Sequence, residues 1–225
     1  MNITIKLSGH ILFPSLNASS AFKGYVESIL RLRKAGNALF IVVGGGEPGR
    51  YYIRIARENG LDESSCDQVG IAATHINARI FARALGSEAC QLIPTDFSEL
   101  DEAISTDKIV VMGGLQPGQS TNAVAAVLAE RSNSKLLINT TNVDGIYESD
   151  PKKNPRAKRF DKISIGEVEK ILDKMGARAG EYDLLDHVAI RIISRSRITT
   201  KIIDGSNPKN ILKAVEGRIG TTIVP

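Results

Sequence analysis

Short runs of β-branched and aliphatic residues alternate along this chain with longer stretches of helical periodicity. "ITIKL" (3–7) reads as a strand. In "SAFKGYVESILRLRK" (20–34) the apolar residues Phe22, Val26, Ile29, Leu30 and Leu32 fall near helical spacing, and Gly36 supplies a stop. "ALFIVV" (38–43) is a buried strand running into "GGG". Helical patterns follow over "RYYIRIAREN" (50–59) and "CDQVGIAATHINARIFARAL" (66–85), the second closed by Gly86. "ACQLI" (89–93) reads as a further strand, and Ser98 as the cap of a short helix over "ELDEAI".

The alternation continues with strand "KIVVM" (108–112), helix "STNAVAAVLAER" (120–131) and strand "KLLIN" (135–139). A turn-rich stretch, "TTNVDGIYESDPKKNPRAK", interrupts it before a strand near 159–163. Ser164 then opens a helix, with Glu167 placed for a capping box. A helix near 184–195, the strand "TTKIID" and a last helix and strand complete the pattern. Strands regularly separated by helices imply an α/β fold: an open, mainly parallel sheet sandwiched between helices. No internal repeat and no linker divides the chain, so a single domain over 1–225 with two lobes is expected.

In such sheets the ligand lies at the carboxyl ends of the strands. Four polar, small-residue segments follow strands here: "SGH" (8–10), "GGGEPGR" (44–50), "GGLQPGQST" (113–121) and "TTNVDG" (140–145). On one sheet edge they would form one phosphate-lined groove.

Each segment has two readings. "GGLQPGQST" nearly spells the phosphate loop G-x-x-x-x-G-K-[ST], with Gln119 where the lysine belongs. It is either an anion-holding loop before a helix N-terminus or a tight turn with Ser120 as N-cap. In "VVGGGEPGR" the consecutive glycines cost backbone entropy; backbone beside a bulky ligand accounts for them better than a plain turn. Arg50 either reaches a phosphate from there or is a surface arginine. Lys6 points to solvent if strand one is an edge, and directs its charge at the strand ends if strand one is central. "TNVDGIYESDPKKNP" is either a hairpin turning at Asp144-Gly145 or a patch for a nucleoside. Asp67 is exposed in a helix's first turn or accepts from a ribose hydroxyl.

Composition narrows the partners. The chain of 225 residues carries a net charge of +4 and no aromatic-studded basic stretch, which gives nucleic-acid binding little support. No 18-residue apolar run could span a membrane, and "MNITIKLSGH" lacks a signal peptide's apolar core. Two cysteines without a metal-knuckle pattern suit a reducing compartment, and the cytoplasm is expected. His10, His75 and His187 have no metal-ligand spacing, so no protein-held metal is expected; His10 draws notice beside Gly9.

In order, "KLSG", "VVGGG", "GGLQPGQST" and "TTNVDGIYESDP", with "LLDHVAIRIISRS" and the closing "GTTIVP", resemble the amino acid kinase superfamily. Within it the chain is similar to the uridylate (UMP) kinases of archaeal type. That resemblance implies transfer of the ATP γ-phosphoryl group to UMP, Mg²⁺ carried by the nucleotide phosphates, and a homohexamer. Its lobes would be about 1–135 for the acceptor and about 136–225 for ATP. Carried over by position, Lys6 is the catalytic lysine. Ser8, Gly9, His10, Gly46, Arg50, Thr141, Asn142, Tyr147 and Asp150 would bind ATP. Gly45, Asp67, Leu115, Gln116, Pro117, Gly118, Gln119, Ser120 and Thr121 would bind UMP.

Three positions depart from relatives: His10, where many bacterial UMP kinases have an acidic residue; Asn122, where many relatives carry aspartate; and Asn142, where bacterial members have a lysine. Lys152 or Lys153 would be the replacement charge. The rival readings are a kinase of the same superfamily acting on isopentenyl phosphate, carbamate or an amino acid, and a nucleotide-binding regulator without catalysis.

Overall fold

The computed structural model describes residues 1–16, 21–149, 151, 154–175 and 184–225. Asp150, Lys152 and Lys153 lie outside the described residues. The strands are β1 (Asn2–Leu7), β2 (Ala38–Val43), β3 (Val110–Met112), β4 (Leu136–Thr141), β5 (Lys162–Ser164), β6 (Thr199–Asp204) and β7 (Thr221–Val224). They form one seven-stranded sheet in the order β3-β2-β1-β4-β6-β7-β5. Every pairing is parallel except β6 with β7.

The helices are α1 (Gly9–Leu12), α2 (Phe22–Lys34), α3 (Gly46–Glu58), α4 (Glu63–Leu85), α5 (Phe97–Ile104), α6 (Thr121–Arg131), α7 (Ile165–Met175), α8 (His187–Ser196) and α9 (Asn210–Val215). Strand alternation divides the core in two. Ile3, Ile5 and Leu7 of β1, with Leu39, Ile41 and Val43 of β2, meet Tyr25 and Ile29 of α2 and Phe81 of α4 on one face. Phe40, Val42, Val110, Met112 and Leu137 meet Val124, Val127 and Leu128 of α6 and Ile190 and Ile193 of α8 on the other. Both faces of the sheet are therefore covered, as continuous apolar strands require.

Several expected boundaries shift, each for a local reason. "ACQLI" is no strand: Ala89 makes a single bridge to Ile109, and Pro94 follows closely with no amide to extend pairing. Asp96, not Ser98, caps α5, its carboxylate accepting from Glu99 N at 2.9 Å. α3 begins at Gly46 rather than Arg50, with Pro48 in its first turn, where a missing amide costs nothing. α4 begins at Glu63 behind Asp62, which accepts from Ser65 N at 2.9 Å. The Ser164–Glu167 capping box forms in both directions.

Candidate active site

Because β3, β2, β1 and β4 are neighbours and parallel, the segments after them emerge on one edge. Between the first three lies a cleft of about 310 Å³. Its walls include Lys6, Ser8, Gly9, His10, Gly45, Gly46, Arg50, Asp67, Gln119 and Thr121. The fold therefore brings ten of the expected residues together here.

β1 lies between β2 and β4, so Lys6 cannot be an edge-strand lysine. It is half-buried, sits in register with Val42 on one side and Asn139 on the other, and lines the cleft.

The glycine loops owe their composition to packing against each other as well as to the cleft. A methyl group on Gly44 would stand 2.8 Å from Gly9 N, and one on Gly46 would stand 2.6 Å from Gly9 O. Gly46 also has a positive φ of 63°, which favours glycine. Gly45 differs: a methyl there would meet nothing nearer than 3.5 Å. The ligand-based explanation of "GGG" is thus corrected for Gly44 and Gly46, where protein backbone occupies the space, while Gly45 has room for a side chain.

The scaffold holding these loops comes from α4, which sequence reasoning missed. Asn77 Nδ2 donates to the carbonyls of both Gly44 and Gly45 at 2.9 Å. Thr74 Oγ1 accepts from Gly114 N at 2.7 Å, and His75 Nε2 donates to Gly114 O at 2.7 Å. The available signal was polar Thr74 and Asn77 interrupting an otherwise apolar stripe three residues apart. Gly44, Gly49 and Gly114, from the expected loops, also line the cleft, and Ile53, Gly70, Ile71 and Thr74 do so without having been expected there.

The remaining expected residues stand outside the cleft walls. Leu115, Gln116, Pro117 and Gly118 form the turn above it; Gly118 has φ 75°, and its amide donates to Asp67 Oδ2 at 2.8 Å. Ser120 caps α6, accepting from Asn122 N and Ala123 N at 3.0 and 3.1 Å, while its hydroxyl donates to Asp186. Asp186 in turn caps α8. Ser120 is thereby engaged in joining two helix starts.

Thr141 pins the turn after β4, donating to Val143 O at 2.8 Å. Asn142 is exposed, and Tyr147 OH donates to Asp144 at 2.6 Å. The stretch does fold back on itself, Tyr147 bridging Arg159. Asp144-Gly145 is not its turn, since the two arms pair beyond it, Phe160 N donating to Ile146 O at 2.8 Å and Glu148 N to Lys158 O at 3.1 Å.

The electrostatics favour an anion. Lys6 and Arg50 face the cleft with glycine amides and the start of α3, against one carboxylate, Asp67. Burial, then Lys6 and Arg50, hold the His10 imidazole below its ordinary pKa. Among the described residues, buried polar atoms without a hydrogen-bond partner include His10 Nε2, Gln119 Oε1 and Asn139 Oδ1. Two belong to residues lining the cleft and the third to the strand partner of Lys6, the pattern of a site built for a polar ligand. Among the described residues, no His, Cys, Asp and Glu side chains gather to hold a metal ion, and none of the helices is long and apolar enough to cross a membrane.

The amino acid kinase family model matches residues 1–204. The chain is 43% identical over 225 residues to uridylate kinase of Methanothermobacter thermautotrophicus, covering all of both chains. It superposes on the crystal structure of uridylate kinase from Archaeoglobus fulgidus with a TM-score of 0.89 and 39% identity, again over the whole of both. UMP kinase from Ureaplasma parvum shares the fold at a TM-score of 0.82 and 23% identity, over 100% of this chain and 98% of that one. With its mainly parallel sheet and glycine-lined cleft, the chain belongs to the amino acid kinase family.

Proposed function

We propose that the protein is a UMP kinase, transferring the γ-phosphoryl group of ATP to UMP to give UDP and ADP. The observation that carries this reading is the position of Lys6: a cation from a central strand, facing a cleft walled by glycine loops. The full-length likeness to uridylate kinases supports the choice of acceptor.

An oxygen of the UMP phosphate attacks the γ-phosphorus in line, and the bond to the β-bridging oxygen breaks, releasing ADP. A phosphate monoester loses its second proton at a pKa of about 6, so the acceptor is already anionic at neutral pH and needs no strong base. The protein's task is to align two mutually repelling anions and to offset charge on the equatorial oxygens.

Lys6 is assigned to that charge. Ser8, Gly9, Gly46 and Arg50 are assigned to the ATP phosphates, with His10 in the same part of the cleft. Asp67, Gly45 and the 115–121 turn are assigned to UMP. Thr141, Asn142, Tyr147 and Asp150 are assigned to the rest of ATP, giving an acceptor lobe of about 1–135 and a donor lobe beyond it. The cleft's amides, hydroxyls and cations suit anions rather than a bare metal ion. Mg²⁺ enters as part of the Mg-ATP substrate, held by phosphates and water.

A homohexamer in the cytoplasm serving pyrimidine nucleotide synthesis completes the proposal. Tyr52 and Ile55 of α3 and Ile76 and Ile80 of α4 are large apolar side chains left exposed on two helices that pack together, which supports self-association. A coupled assay of ADP release with UMP, CMP, isopentenyl phosphate, carbamate and amino acids tests the activity. UMP is expected to give the highest kcat/KM. UMP binding with no ADP release would favour the regulator, and preference for another acceptor would overturn the reading.

A further inference from the structure

Ser8 and His10 face the same cleft and touch each other, with Ser8 Oγ 2.8 Å from His10 Nδ1. Among the described residues the other ring nitrogen, Nε2, is buried and has no hydrogen-bond partner. Those two facts favour one place for the ring proton.

A neutral imidazole carries one N–H, and the hydrogen bond made by one nitrogen decides which. Were the proton on Nε2, a donor would be buried with nothing to receive it. Orphaned N–H groups are rarer in folded proteins than under-satisfied acceptors. With the proton on Nδ1, that N–H donates to Ser8 Oγ, and only a lone pair is left unsatisfied at Nε2. Burial and the nearby cations Lys6 and Arg50 keep the ring neutral, so Nε2 gains no second proton. Asp67 also lines the cleft, but its carboxylate accepts from Gly118 N.

The consequence falls on Ser8. Its amide is anchored, donating to Thr140 Oγ1 at 3.0 Å. If its oxygen accepts from His10, its own proton must point elsewhere, and the side chain opens onto the cleft. We propose that His10 is a positioning residue, which by donating from Nδ1 fixes the Ser8 hydroxyl as a donor to a phosphate oxygen. This role rests on the phosphoryl-transfer reading of the cleft; the tautomer does not.

Two measurements separate the two. ¹⁵N NMR of the ligand-free, histidine-labelled protein at neutral pH reads the ring directly. The His10 signals, identified by their loss in His10→Asn, should show Nδ1 protonated and Nε2 bare. A ring protonated at Nε2, or at both nitrogens, overturns the proposal whatever the enzyme does.

Steady-state kinetics read the consequence. His10→Leu and Ser8→Ala should each lower kcat/KM for ATP about tenfold, the scale of one correctly directed hydrogen bond. The double variant should be no worse than either single, because both remove the same bond. His10→Asn, whose amide N–H replaces Nδ1–H, should recover much of the loss, and His10→Gln should not. Additive losses, or better recovery with glutamine than asparagine, would overturn it. Absence of UMP-dependent ADP release in the unaltered enzyme would defeat the functional reading and leave the NMR result standing.

Discussion

Gly9 and Gly46 are packed backbone against backbone: a methyl group on Gly9 would collide with the Gly46 amide nitrogen and stand 2.6 Å from the Gly44 carbonyl carbon. The loops after β1 and β2 thus meet with no side chain between them, which brings Ser8 and His10 beside Gly45 and Arg50.

Gly9→Ala should therefore displace both loops, since the obstructing atoms are main chain and cannot rotate away. We expect loss of at least 10²-fold in turnover, on the order of the cost of misplacing catalytic groups by an ångström, with a lowered melting temperature. Gly45→Ala should leave the melting temperature almost unchanged, because a methyl group there makes only ordinary contacts. Thermal melts and turnover measured together distinguish the two glycines.

Lys6→Ala should reduce kcat by roughly 10²–10³-fold, by analogy with the loss of a single donor to a developing oxyanion. The KM for UMP should move much less, since the charge is assigned to the transition state. Near-normal turnover in this variant would remove Lys6 from the chemistry.

The Asp67 carboxylate holds the amide of Gly118 at 2.8 Å and so ties α4 to the turn over the cleft. Asp67→Ala frees that turn and removes the group assigned to the ribose. The expected result is a KM for UMP raised about tenfold, the scale of one or two hydrogen bonds, with kcat changed far less. An unchanged KM in initial-rate assays would count against the acceptor assignment of this turn.

Asn139, beside Lys6 in the sheet, donates from Nδ2 to Leu184 O at 2.7 Å and to Asn122 Oδ1 at 3.2 Å. All of this is buried, and Asn139→Ala would strand two acceptors. The cost should be about 1–3 kcal/mol, the penalty for buried polar groups left unpaired, read from the midpoint of urea unfolding. A midpoint within error of the unaltered protein would show that water replaces the amide.

Much of this architecture was legible in the chain itself. Alternating apolar runs and helical spacings located β1, β2, β3, β4 and β6 and most helices, because burial on both sheet faces leaves an apolar strand signature that needs no tertiary information. The "ACQLI" segment misled because β-propensity says nothing about whether a neighbour is free to pair. Asp62 and Asp96 escaped notice as caps because short polar residues on either side compete for the role until backbone geometry chooses one.

Chemistry-bearing loops were identifiable one by one, since glycine clusters and a lysine in an apolar strand stand out in composition. Their assembly was not. Strand order is a long-range property: β1 joins β2 across about thirty residues and β4 across more than a hundred, and no local pattern encodes that choice. Only the folded sheet decided that Lys6 lies centrally, that Gly9 needs to be small because Gly44 and Gly46 abut it, and that Asn77 reaches the glycine carbonyls. The sequence by itself determined which segments could hold an anion; tertiary packing determined which of them share one cleft, because shape and hydrogen-bond partners exist only once distant segments have met.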